Sequence, residues 1–171
     1  EILEKAIEEK KRQFPNETIR VFYAGCGPYA PFATLVAPLF SPEEIQFSLL
    51  EINQNSLEKA VLLIEKLKLT DYIDACYLSD ATTFKVNQPE KYHLLFSETL
   101  DALLYRECYV PILWNLLPQF SKNITVIPEN VKVDLFFKEN STETFETTIF
   151  DVSKALKRLK RNANLPEKFK P

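Results

Sequence analysis

The chain has 171 residues, 46% hydrophobic and 26% charged, with a net charge of −3. That is enough apolar material for one packed domain, and too balanced a charge to argue for disorder or for a nucleic-acid surface. No apolar run approaches the ~20 residues of a membrane-spanning helix, no signal peptide is expected, and Cys26, Cys76 and Cys108 lack the paired spacings of a zinc site, so they read as reduced thiols of a cytoplasmic protein.

Ile2, Leu3, Ala6, Ile7 and Phe14 recur at near-helical spacing and predict an amphipathic helix that Pro15-Asn16-Glu17 ends. Val21-Phe22-Tyr23-Ala24 reads as a buried strand. After Gly25 and Gly27, the run Phe32 to Ala37 predicts a helix with Pro28 in its first turn and Pro38 as its stop. A second strand, Ile45 to Leu50, finishes at Glu51, and Asn53 to Ser56 offer N-caps for a helix carrying Leu57, Ala60, Val61, Ile64 and Leu67. Ile73 to Leu78 and Tyr92 to Phe96 predict third and fourth strands, ending at Ser79-Asp80-Ala81 and at Ser97-Glu98. An apolar helix around Val110 to Leu117, interrupted by Pro111, and a fifth strand, Ile124 to Ile127, closed by Pro128, complete the repeat.

Four strand-helix units in succession predict an α/β fold: a Rossmann-like, mostly parallel sheet with helices on both faces. Val131 to Phe137 and Thr144 to Phe150 alternate as antiparallel strands do, and a basic helix from Val152 to Arg161 follows. The expected organisation is an N-terminal helix over 1–17, a Rossmann-like cofactor-binding domain over 18–130, and C-terminal strands with a basic helix over 131–171. The absence of any methionine suggests a fragment of a longer chain, with 131–171 as the start of a further domain.

The glycines mark the site. An average composition would supply roughly twelve; the chain holds two, one residue apart at Gly25 and Gly27. Glycine is needed where the backbone takes positive φ or where something approaches it closely, and strand, Gly-x-Gly, helix is the first turn of a nucleotide-binding α/β sheet. Ligands of such sheets sit beyond the carboxyl ends of the strands, where this chain places Glu51, Asp80 and Glu98. A carboxylate at Glu51 can accept hydrogen bonds from both hydroxyls of a ribose. Asp80 could accept from an exocyclic amine of adenine while the Ala81 N–H donates to the ring.

Ala24-Gly25-Cys26-Gly27, Glu51 and Ser79-Asp80-Ala81 resemble the cofactor motifs of the class I S-adenosylmethionine-dependent methyltransferases. Ser97 to Glu107 is similar to the double-glutamate loop of the protein arginine methyltransferases, with Glu98 and Glu107 at the positions of the two glutamates. The likeness covers Val21 to Pro128. It implies S-adenosyl-L-methionine as cofactor, held by Ala24, Gly25, Cys26, Gly27, Glu51, Asp80 and Ala81. It also implies Glu98 and Glu107 as the catalytic pair clamping a basic nitrogen acceptor, a protein arginine or a small amine or guanidinium. Two converging carboxylates suit a planar guanidinium, provided that the segment bends, since nine residues of continuous helix would set them on opposite faces. Many such proteins pair through surface helices, which makes a homodimer one expectation. Tyr23 stands where the family often has an acid, and Tyr29, at or beside the place of a third glycine, is expected to narrow the pocket. His93 and Trp114 read as packing residues. No metal site, membrane contact or nucleic-acid partner is expected, although the basic tail from Lys154 to Lys170 could meet an acidic partner. Two alternatives stay open: a non-catalytic, methyltransferase-like association module, and a NAD-dependent oxidoreductase, whose usual Gly-x-Gly-x-x-Gly turn is incomplete here.

Overall fold

The computed structural model describes residues 1–100, 108–139 and 143–154. Helix α1 (Ile2–Gln13) precedes β1 (Ile19–Ala24), α2 (Pro31–Val36), β2 (Ile45–Glu51), α3 (Gln54–Lys66), β3 (Ile73–Leu78), β4 (Leu94–Ser97), α4 (Tyr109–Leu116) and β5 (Thr125–Ile127). These five strands form one parallel sheet in the order β3-β2-β1-β4-β5. The order reverses beside β1, so the crevice between the ends of β1 and β4 is where such a sheet offers a site.

Both faces of the sheet are covered, which is why β1 and β2 read as nearly unbroken apolar runs. On one face Val21, Tyr23, Phe47, Leu49, Leu94 and Phe96 pack under α1, α2 and α3. On the other, Phe22, Leu50 and Leu95 meet Tyr109, Ile112, Leu113 and Leu116 of α4. Phe22 is fully buried and has Tyr77, Phe84, Tyr92 and Phe120 as ring neighbours. Among the described residues β3 is an edge strand, and its side chains alternate between half-buried and exposed.

Local chemistry explains where the boundaries differ from expectation. Pro31, not Pro28, takes the first position of α2, because Gly27, with φ of +62°, and Ala30, with φ of +40°, still turn the chain before it. Pro38 tightens the last turn into a 3₁₀ helix, Ala37–Leu39, instead of stopping it. Pro111 lies within the first turn of α4, where it costs no helical hydrogen bond. The crossing from β3 to β4 carries no α-helix: Asp80 caps a turn, Gln88 takes φ of +51°, Pro89–Lys91 form a 3₁₀ turn, and Ala81 and Val86 plug the α4-side core directly.

After β5, strands β6 (Lys132–Glu139) and β7 (Glu143–Asp151) pair antiparallel as a separate two-stranded sheet. The Ser153 hydroxyl closes the base of the pair, accepting from the Val131 N–H at 2.8 Å, while Val152 and Val131 pack against the α4-side core, and residues 152–154 are helical. The remainder of the predicted basic helix, with Lys157, Arg158, Lys160 and Arg161, and the tail after it, with Lys168 and Lys170, lie outside the described residues, as does Glu107. No helix among the described residues is long and apolar enough to cross a membrane.

Candidate functional site

A cavity of about 460 Å³ opens at the carboxyl ends of the strands. Gly25, Gly27, Glu51, Asp80 and Ala81 all line it, together with Ser79, Thr99, Cys108 and the apolar Leu50, Ile52 and Ile112. Five of the seven residues expected to hold a cofactor are thus brought together. The other two are not: Ala24 is buried in the α4-side core and Cys26 in the opposite one. Burial, with the nearby Glu51 and Cys76 adding to it, pushes the Cys26 thiol up to about 12, so it carries no nucleophile at neutral pH.

The two glycines do different work. Gly25 has φ of +73°, and a Cβ there would overlap the Thr99 methyl, so the turn after β1 and the segment after β4 pack with no space between them. Gly27, with φ of +62°, has open space where a Cβ would be. Its N–H is tied down, donating to Glu51 Oε2 at 2.8 Å, while Glu51 Oε1 accepts from the Asn53 N–H at 2.9 Å. Glu51 is therefore not a solvated strand end. It is only 8% exposed, and it buckles the glycine turn to the start of α3. A carboxylate has about four lone-pair positions; two are used here and two remain for a diol in the cavity.

At the third strand end, Asp80 is exposed, and its Oδ1 accepts from the Thr82 N–H at 2.8 Å and the Thr82 hydroxyl at 2.7 Å. Those bonds hold its carboxyl below the usual aspartate range. The Asp80 carbonyl accepts from the N–H groups of Thr83 and Phe84, so the trans peptide aims the Ala81 N–H the other way. That N–H has no acceptor among the described residues.

Glu98 is exposed at the end of β4 and does not line the cavity. Because Glu107 lies outside the described residues, the expected carboxylate pair is represented by Glu98 alone. Tyr23 does not line the cavity: it is 1% exposed, wedged against Phe32 and Phe96 with its hydroxyl bonded to the Phe32 backbone, and burial drives that hydroxyl far above the ordinary tyrosine value, with Glu98 contributing. Tyr29 points to solvent at 69% exposure and is absent from the cavity lining, so the expected narrowing does not occur. His93 sits just before β4, where Nδ1 accepts the Arg20 N–H at 3.1 Å, and Trp114 is half-buried against the α4-side core, both packing roles as expected. No metal-binding cluster occurs among the described residues.

Sequence reasoning missed three parts of the site. Thr99 and Cys108 enter only because β1 and β4 are neighbours in the sheet, a fact of topology. Asn115 shows in the sequence only as a polar residue in an apolar helix, yet it is 3% exposed and its amide holds the loop that carries Asp80 and Ala81.

No protein-family model and no curated protein sequence matches the chain. Solved structures share its fold. A Methanococcus maripaludis protein assigned to the S-adenosyl-L-methionine-dependent methyltransferases matches with a TM-score of 0.50 at 15% identity, over 70% of this chain and 53% of its own. A Galdieria sulphuraria protein assigned as a sarcosine dimethylglycine methyltransferase matches with a TM-score of 0.50 at 11% identity, over 78% and 47%. The protein YjhP of E. coli matches with a TM-score of 0.50 at 12% identity, over 81% and 52%. The chain thus spans about half the length of the structures it matches, and at these identities the likeness establishes the Rossmann-like fold alone. None of the three is described as an arginine methyltransferase.

Proposed function

We propose that the chain binds S-adenosylmethionine in the cavity above Gly25 and Gly27 and transfers its methyl group to a basic nitrogen. The observation that carries the reading is the convergence of Gly25, Gly27, Glu51, Asp80 and Ala81 on one cavity. Its volume lies within the range of about 300–1,000 Å³ usual for ligand pockets. The residues suit an adenosyl group: the free lone pairs of Glu51 for the ribose hydroxyls, the Ala81 N–H and Asp80 carboxylate for the adenine edge, and Leu50 and Ile112 for its apolar faces. Solved structures of the same fold include one assigned to the S-adenosyl-L-methionine-dependent methyltransferases.

The sulfonium of the cofactor supplies an electrophilic methyl group, so the chain's own task is to hold donor and acceptor in line. Glu98, exposed just beyond β4 and next in sequence to the cavity-lining Thr99, is the candidate for orienting a cationic acceptor, with Glu107 as its partner if the segment between them bends. A guanidinium, and with it a protein arginine, is the acceptor that two carboxylates fit best. The test is transfer of labelled methyl from S-adenosylmethionine to arginine peptides, lysine peptides and small amines. Glu98→Gln should lower transfer at least a hundredfold while S-adenosylhomocysteine affinity stays within twofold. Unchanged transfer in that variant would remove Glu98 from the reaction.

One observation favours a second reading as an association module: the β6–β7 pair exposes Phe136 at 63% and Phe150 at 50%. A concentration-dependent dimer that binds no S-adenosylmethionine would support it.

A further inference from the structure

We infer that Asn115, one helical turn beyond the cavity-lining Ile112, is the positioning residue for adenine, acting through the backbone of Ala81. The inference rests on the cofactor reading above. Asn115 is buried in α4, yet its Nδ2 donates to the Ala81 carbonyl at 2.9 Å and to the Phe84 carbonyl at 2.9 Å, spending both amide hydrogens on one loop. Gln119, one turn further on, donates to the Phe84 carbonyl at 3.0 Å, to the Asn115 carbonyl at 3.0 Å and, at 3.4 Å, to Asn115 Oδ1, and its Oε1 accepts from the Val86 N–H at 2.9 Å. A buried amide that is fully satisfied is conformationally specific, because any other arrangement strands polar groups away from water.

The consequence falls on Ala81. The peptide before it is fixed by the Asp80 carbonyl, which accepts from Thr83 and Phe84, and the peptide after it is held at its N–H, where Thr82 donates to Asp80 Oδ1, and at its carbonyl, where Asn115 donates from the core. With both planes set, the Ala81 N–H is held as a preorganised donor at the cavity wall, without an acceptor among the described residues. It matches a ring nitrogen that accepts, as in adenine, and opposes one that carries hydrogen, as in hypoxanthine. Asp80 beside it likewise suits an exocyclic amine and opposes a carbonyl. Asn115 therefore sets base selectivity without touching the base, whereas Gln119 shares the Phe84 carbonyl with it and holds Val86 but makes no bond to Ala81.

The experiment compares S-adenosylhomocysteine with S-inosylhomocysteine by calorimetry on the wild type, Asn115→Leu, the milder Asn115→Ser, and Gln119→Leu. The wild type should prefer the adenosyl compound at least tenfold. Either Asn115 variant should cut that preference to threefold or less, mainly by weakening the adenosyl compound, while Gln119→Leu keeps it even where its thermal midpoint falls as far. A merely structural Asn115 would lower the midpoint and leave the preference unchanged, which would overturn this inference alone. Failure of the wild type to bind either compound would overturn it together with the cofactor reading. If only the serine variant folds, its ratio decides.

Discussion

Gly25 and Gly27 share a positive φ but not a neighbourhood, and the difference is measurable. Alanine at Gly27 meets open space and should cost only the left-handed penalty, about 1 kcal/mol. Alanine at Gly25 adds an overlap with the Thr99 methyl, so its urea midpoint should fall further and cofactor binding at least tenfold. Combining it with Thr99→Ser removes that methyl and should restore part of both losses, a coupling that a double-mutant cycle reads directly. His93 gives a second prediction at this scale. Burial, outweighing the nearby Glu17, lowers its pKa from the ordinary 6.5, and protonating Nδ1 would break the bond from the Arg20 N–H. A depressed folded pKa means that the unfolded chain takes up the proton first. Its contribution is thus fully present above pH 6.5 and is lost as pH falls from there through the folded value. Denaturation midpoints should hold above pH 6.5 and drop as the pH falls below it, and His93→Asn, which keeps an acceptor, should flatten that change. Asp74, lowered by Lys91 and Arg20 against its own desolvation, gives way only at more acid pH.

At the scale of elements, Asn53 caps α3 by accepting the Ser56 N–H at 3.0 Å, while its own N–H donates to Glu51. Asn53→Ala should therefore cost about 1 kcal/mol of stability and leave cofactor affinity within twofold, because the backbone donor survives the substitution. Phe22→Ala, at the centre of the α4-side core, should cost about 3–5 kcal/mol by leaving a cavity among four rings. The elements themselves were largely legible because they are local: β3 is bounded as its apolar alternation predicts, and α3 starts where Asn53 can cap it. The β3–β4 crossing was not. Ala81, Phe84 and Val86 follow neither a helical nor a strand period, since they plug a core whose shape is set by α4. Asn115 stayed hidden for the same reason: its partners are 34 and 31 residues away in sequence, and the sequence shows only a polar residue in an apolar helix. Glu51 was legible as a site residue but not as the buckle on Gly27, which depends on β1 and β2 lying side by side.

For the whole molecule, the sheet order places Gly25 and Thr99 on either side of the reversal at β1 and β4, and the cavity is what that reversal leaves open. A ligand seated there and absent from the unfolded chain must stabilise the fold: at a hundred times its dissociation constant, by about 2.7 kcal/mol. In a chain of this size, that raises the thermal midpoint by roughly 5–10 °C. The central claim is that Glu51 and the glycine turn hold an adenosyl cofactor, and the most direct measurement is calorimetric titration of the wild type and Glu51→Ala with S-adenosylhomocysteine, with NAD alongside. The account predicts micromolar binding by the wild type, a loss of tenfold or more in the variant, equal to about 1.4 kcal/mol, and no uptake of NAD. Absence of S-adenosylhomocysteine binding, or equal binding by the two proteins, would contradict it.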